Sequence, residues 1–248
     1  MGKKRMPKGS RLVTAIAFSP TGKYIAACDA AEKITIHLFE VAGGVSAIAN
    51  CAINMKVVHL AFSPHDDMTF ASAGANHMCL CTYDGAKAIK MQKGKAGDGK
   101  IESQCSISFS NNAQYKTTCF TGGSDGFVYQ WSVDSIAEKY ENNKGSVHSV
   151  AARMDDSVGH EVVLVGGNDK TLTVYKFEGK LQKMWTVDAG AAPRSVDLFN
   201  GNILMGLKNG SILELPWSAD GSKIPNVIMT SHCDGEVWGL ELIEFEDG

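Results

Sequence analysis

Three stretches of this chain repeat one another: Ala17-Phe18-Ser19-Pro20, Ala61-Phe62-Ser63-Pro64 and Ser108-Phe109-Ser110-Asn111. Each ends an alternating, strand-like run, such as Val13 to Phe18 or Val57 to Phe62, and each is followed by a polar turn. A run of small residues comes next in every unit: Ala26-Ala27-Cys28-Asp29, Ala71-Ser72-Ala73-Gly74, Phe120-Thr121-Gly122-Gly123, Leu164-Val165-Gly166-Gly167 and Leu204-Met205-Gly206. Tight-turn residues follow, then a further strand-like run ending at His37, Cys81, Trp131, Tyr175 or Leu215. A period in the forties with several short strands per unit cannot fold as a single isolated repeat, because each small sheet must be covered by its neighbours.

That period marks the blades of a β-propeller, so the expected fold is all-β. Small residues before the turn suit the crowded middle of a blade, where sheets approach closely. No fifteen-residue window carries a sustained helical period, and the only stretch that reads as locally helical is 135–142. The expected organisation is a basic arm over residues 1–10 and a partial propeller over 11–248. Its blades lie near 11–41, 53–85, 103–135, 146–179 and 192–220, with a sixth opening at 232–248 through a strand at 236–242. An incomplete array leaves a sheet edge uncovered. The chain therefore reads as a fragment of a larger propeller, as an array that closes unusually, or as one that associates with a second copy, the fragment being preferred.

Composition bounds the function. The chain has 248 residues, is 44% hydrophobic and carries a formal net charge of −3. That charge argues against general nucleic-acid binding. No apolar run reaches the length of a membrane-spanning helix, and the N-terminus lacks the apolar core of a signal peptide, so no membrane partner is expected. The seven cysteines are odd in number and scattered, and read as reduced thiols of a cytoplasmic protein. Lys3, Lys4, Arg5 and Lys8 form a basic arm that can meet an acidic protein surface.

Motifs with catalytic echoes are explained by the repeat. Gly94-Lys95-Ala96-Gly97-Asp98-Gly99-Lys100 is one residue short of a phosphate loop, has Ile101 in place of the hydroxyl, and leads into a strand instead of a helix. Gly122-Gly123-Ser124-Asp125-Gly126 has the spacing of a nucleophile elbow but joins two strands, so it reads as a hairpin. His77, Cys79 and Cys81 share one strand face, yet a closed zinc site needs a fourth ligand. No catalytic residue, cofactor or metal is expected.

The five strand ends quoted above occupy the place of the Trp-Asp pair of the WD-repeat superfamily, which the sequence resembles, with Trp131 the one matching tryptophan. Ser231-His232-Cys233-Asp234-Gly235-Glu236-Val237-Trp238-Gly239-Leu240 resembles a signature of the echinoderm microtubule-associated protein-like (EMAP-like) family. Val13 to Ser19 and Gly166 to Lys170 are similar to two further runs of that family. The resemblance implies a non-enzymatic interaction scaffold of the cytoskeleton, with tubulin as partner class and further blades of the same protein. A scaffold without tubulin contact, regulating actin or assembling other complexes, is the alternative. His232 and Asp234 then form a structural hydrogen-bonded pair, and Trp238, as a strand residue, is expected in the core.

Overall fold

The computed structural model describes residues 12–42, 45–97, 100–142, 144–230 and 235–240. Among these, twenty strands form five four-stranded sheets, and the one helical element is a 3-10 turn at Ala113–Tyr115. The first sheet holds β1 (Val13–Phe18), β2 (Tyr24–Asp29), β3 (Thr35–Glu40) and β4 (Ser46–Ala52). The second holds β5 (Val57–Phe62), β6 (Thr69–Gly74), β7 (His77–Tyr83) and β8 (Ile89–Lys93). β9 (Gln104–Phe109), β10 (Thr118–Gly123), β11 (Phe127–Ser132) and β12 (Ser135–Glu141) make the third. β13 (Val147–Asp155), β14 (His160–Gly167), β15 (Thr171–Phe177) and β16 (Leu181–Asp188) make the fourth, and β17 (Pro193–Phe199), β18 (Asn202–Leu207), β19 (Ile212–Pro216) and β20 (Asn226–Met229) the fifth. Each sheet is a meander in sequence order.

Two compact units divide the chain within the third sheet. One runs to Thr121 and takes back Tyr129–Lys139, while the other holds Gly122–Val128 and the chain from Tyr140 onward. In the first unit, Tyr24, Ala26, Cys28, Ile36 and Leu38 of the first sheet pack with Leu60, Phe62, Phe70, Cys79 and Cys81 of the second. In the second unit, Val162, Leu164, Leu172 and Val174 pack with Val196, Leu198, Ile203 and Met205. Each fully buried side chain of this size contributes about 1.5–3 kcal/mol, so these faces supply the main cohesive energy between adjacent sheets.

The small residues read from the sequence sit where backbones crowd. A Cβ on Gly74 would lie 1.9 Å from the Lys56 carbonyl oxygen, and one on Gly166 would lie 2.7 Å from the Pro193 Cβ. Gly126 closes the β10–β11 hairpin at φ +90°, a conformation that favours glycine, so the elbow-like motif is a turn. Residues 135–142, read as locally helical, instead form β12 and the residue after it. A sheet with an open third-strand edge recruits this segment, whose exposure alternates along its length, and pairing overrides its local preference.

In the first unit, one register departs from its equivalents. Ile16 and Phe18 of β1 are 56% and 60% exposed, whereas Leu60 and Phe62, at the same places in β5, are 2% and 9% exposed. The first sheet covers Leu60 and Phe62, and no described residue of this unit covers Ile16 and Phe18 to the same extent.

Candidate protein-interaction site

Four first strands begin with the same irregularity. The register slips between Val13 and Ala15, Val57 and His59, Val147 and Ser149, and Pro193 and Ser195. Such a bulge re-aims the extra residue away from the sheet faces. In the second unit the re-aimed residues are His148 and Arg194. Val237 occupies against the fifth sheet the place that Pro193 occupies against the fourth: a Cβ on Gly206 would lie 2.4 Å from the Val237 Cγ1. Val237 also donates its backbone N–H to the Leu207 carbonyl at 3.1 Å, and the Ser195 hydroxyl donates to the Val237 carbonyl at 2.9 Å. Trp238 therefore holds the position after Val237 that Arg194 holds after Pro193.

These residues meet. The Arg194 guanidinium lies 5.1 Å from the centroid of the Trp238 ring, and His148 meets that ring edge-on at 6.2 Å and 88°. Glu236 clasps Arg194 from the other side, with Nε donating to Oε2 at 2.9 Å and Nη2 to Oε1 at 3.3 Å. Arg194 is buried, with Nη1 lacking a hydrogen-bond partner. Burial, chiefly, together with the nearby charges of Arg194 and Lys208 pushes the His148 imidazole down to about 4, against the opposing pull of Glu236. The ring is neutral at physiological pH. Trp238 itself is 62% exposed, so the core placement expected from the sequence is corrected. The indole faces outward, with the guanidinium against its ring and the imidazole at its edge.

The strand expected at 236–242 is also corrected within the described residues: 236–240 carry no strand. One backbone bond to Leu207 aligns the segment, but a ladder needs partner strands of its own sheet, and none is present among the described residues. Lys3, Lys4, Arg5 and Lys8, and likewise His232 and Asp234, lie outside the described residues. His77, Cys79 and Cys81 do fall together on β7, and among the described residues no group of three His, Cys, Asp or Glu side chains is arranged to hold a metal ion. Gly94 is explained by packing: a Cβ there would lie 2.8 Å from the Trp131 ring. Among the described residues, no helix is long and apolar enough to cross a membrane.

The sequence reading missed His148 and Arg194. The signal was available: Val147-His148-Ser149, Pro193-Arg194-Ser195 and Val237-Trp238-Gly239 align once the first strands are placed in register. The cluster pairs a permanently charged guanidinium with two aromatic rings and offers no nucleophile poised beside a base. What it can do is present a rigid aromatic–guanidinium anchor to another molecule.

Residues 5–37 match the WD domain, G-beta repeat family. The ciliary WD repeat-containing protein ctxp80 of Euplotoides octocarinatus is 32% identical over 247 residues, a span that covers 98% of this chain and 32% of that protein. The chain thus spans about a third of the length of the curated relative it matches. The β-propeller domain of Cps50 (Swd1) from Myceliophteria thermophila superposes with a TM-score of 0.70 at 11% identity, covering 88% of this chain and 72% of that one. The fold is a β-propeller of WD-repeat type. WD-repeat propellers generally bind protein partners, and neither match indicates a catalytic family.

Proposed function

We propose that this chain is a non-enzymatic protein-interaction scaffold of the cytoplasm and cytoskeleton, with tubulin in polymerised form as its partner. The carrying observation is Trp238, exposed over 62% of its surface yet fixed by Arg194, Glu236 and His148. Tryptophan and arginine dominate binding energy at protein interfaces because they bring large contact area at low entropic cost. The cytoskeletal part rests on the likeness of Ser231 to Leu240 to the EMAP-like signature, and on the ciliary designation of the relative from Euplotoides octocarinatus. The basic arm of Lys3, Lys4, Arg5 and Lys8 is the second contact in this reading, directed at an acidic surface.

Further blades of the same protein belong to the proposal. The exposed Ile16 and Phe18 and the blade-opening position of Val237 support the division into five blades with a sixth opening at 232–248. Co-sedimentation with microtubules and, in parallel, with filamentous actin at two salt concentrations tests the reading. Binding to microtubules that falls on Trp238→Ala is expected. Binding to actin alone would support the alternative scaffold without tubulin contact.

A further inference from the structure

Successive sheets of the first unit fill their junctions differently. The residue after each first strand donates its backbone N–H to the residue that opens the second: Ser19 to Tyr24, Ser63 to Thr69 and Ser110 to Thr118. Tyr24, Thr69 and Thr118 are therefore equivalent, and so are Lys23, Met68 and Thr117 just before them. Where the first sheet meets the second, Tyr24 is buried and Met68 packs against the same apolar cluster. The Tyr24 ring stands edge-on to Tyr83 at 5.8 Å. That junction is also clamped: Thr21 donates its backbone N–H to Asp67 Oδ1 at 3.1 Å and its hydroxyl to Oδ2 at 2.6 Å.

Where the second sheet meets the third, threonine stands in both filling places, Thr69 for Tyr24 and Thr117 for Met68. A cavity of about 150 Å³ opens there, lined by both threonines with Leu80 and Phe109. Counting back from the same strand starts puts Asp66 in the place of Thr21 and Lys116 in that of Asp67, and both line the cavity. Asp66 Oδ1 accepts the Met68 and Thr69 N–H groups at 2.8 and 2.7 Å. No described residue bonds its Oδ2 or the Lys116 ammonium, so the clamp of the first junction is missing. Lys90 is exposed and shares a cross-strand row with Thr82 and Thr69.

We propose that this cavity seats one tyrosine side chain of an acidic, extended segment in a partner protein. Protein interiors leave little space unfilled, and the equivalent space one sheet earlier is filled by the chain's own Tyr24 and Met68. An apolar cavity of about 150 Å³ holds a benzene-sized ring. The incoming ring lies on Leu80 and Phe109, and its hydroxyl has Asp66 Oδ2 as acceptor. Carboxylates beside the tyrosine meet Lys116 on one wall and Lys90 on the other, which sets the charge of the partner.

The test measures fluorescence anisotropy of a fluorescein-labelled peptide, one tyrosine between two pairs of glutamates, titrated with the full chain. The expected result is saturable binding that weakens at least about tenfold when alanine replaces the peptide's tyrosine, as loss of an anchor requires. Thr69→Tyr fills the cavity from within, as Tyr24 fills its neighbour. It should unfold no earlier than the native chain on heating and bind at least about tenfold more weakly. Lys116→Glu, at an exposed site, should fold and weaken binding about two- to fivefold at low salt, and less at high salt. Affinity unchanged by Thr69→Tyr or by loss of the peptide's tyrosine, tighter binding of a probe with lysines for its glutamates, or no saturable binding overturns the proposal. Because Trp238 belongs to the other compact unit, failure here leaves the microtubule result unchanged.

Discussion

Replacing Thr121 by valine tests how the third blade holds its buried tryptophan. The Trp131 indole N–H donates to the Thr121 hydroxyl at 2.8 Å, and that hydroxyl donates to the Gln104 Oε1. Gln104 is itself tied by its Nε2, which donates to the Glu102 carbonyl at 2.8 Å. Thr121 and Trp131 are fully buried and Gln104 nearly so, which leaves no water to replace a lost partner. Thr121→Val keeps the shape but orphans both the indole N–H and the Gln104 oxygen. Each orphaned group costs about 1–3 kcal/mol, so the expected loss is about 2–6 kcal/mol. Trp131→Phe removes the donor, so in that background Thr121→Val orphans the Gln104 oxygen alone. The cost of the valine should then fall by about 1–3 kcal/mol. Urea denaturation followed by circular dichroism, on the two single variants and the double, reads this coupling. Costs that add within about 0.5 kcal/mol would refute the account, because non-interacting sites add to that precision.

Other outcomes follow from the same structure. Phe18→Glu should change the unfolding free energy by less than about 0.5 kcal/mol, as for an exposed site, while Phe62→Glu, at the equivalent buried place, should prevent stable folding. Gly206→Ala forces a Cβ within 2.4 Å of both the Ser195 Oγ and the Val237 Cγ1. It should cost about 1–3 kcal/mol in thermal unfolding and loosen the segment carrying Trp238, seen as faster exchange of the Val237 amide. His59 gives a pH signature. Burial pushes it from 6.5 down to about 4, and its Nδ1 accepts the Ile107 N–H at 2.9 Å, a bond that protonation there would forfeit. A depressed histidine contributes fully above the unfolded value and loses that contribution as pH falls through the window between 6.5 and 4. Discounted for its partial exposure, the loss is about 2 kcal/mol by pH 4 and should be absent from the slope of His59→Gln measured by denaturation against pH.

The blade period was legible because every unit must solve the same packing problem. Val13–Phe18 and Val57–Phe62 were read to the residue, and the runs at 128–131 and 172–175 fall inside β11 and β15. The fourth strands were harder to see. They lie at the sheet edge, where β8 buries only Ile89 and β20 buries nothing, so they carry little apolar pattern. β12 shows the extreme, a segment with helical local preference drawn into an open edge. At the candidate site, Trp238 was placed in the core as a strand residue, whereas it lies 62% exposed on a segment that carries no strand. His148 and Arg194 sit at bulges, where the side-chain direction departs from the strand rule on which the sequence reading depends.

The proposal that an exposed tryptophan, held by Arg194 and His148, makes this propeller a protein-binding scaffold for the cytoskeleton is most directly tested by microtubule co-sedimentation of the native chain beside Trp238→Ala. The account predicts that the native chain pellets with microtubules, less at higher salt, and that the alanine variant, equally folded by circular dichroism, binds at least about tenfold more weakly, as loss of an interface anchor requires. Equal binding by the two proteins, or no binding by the native chain, would contradict it.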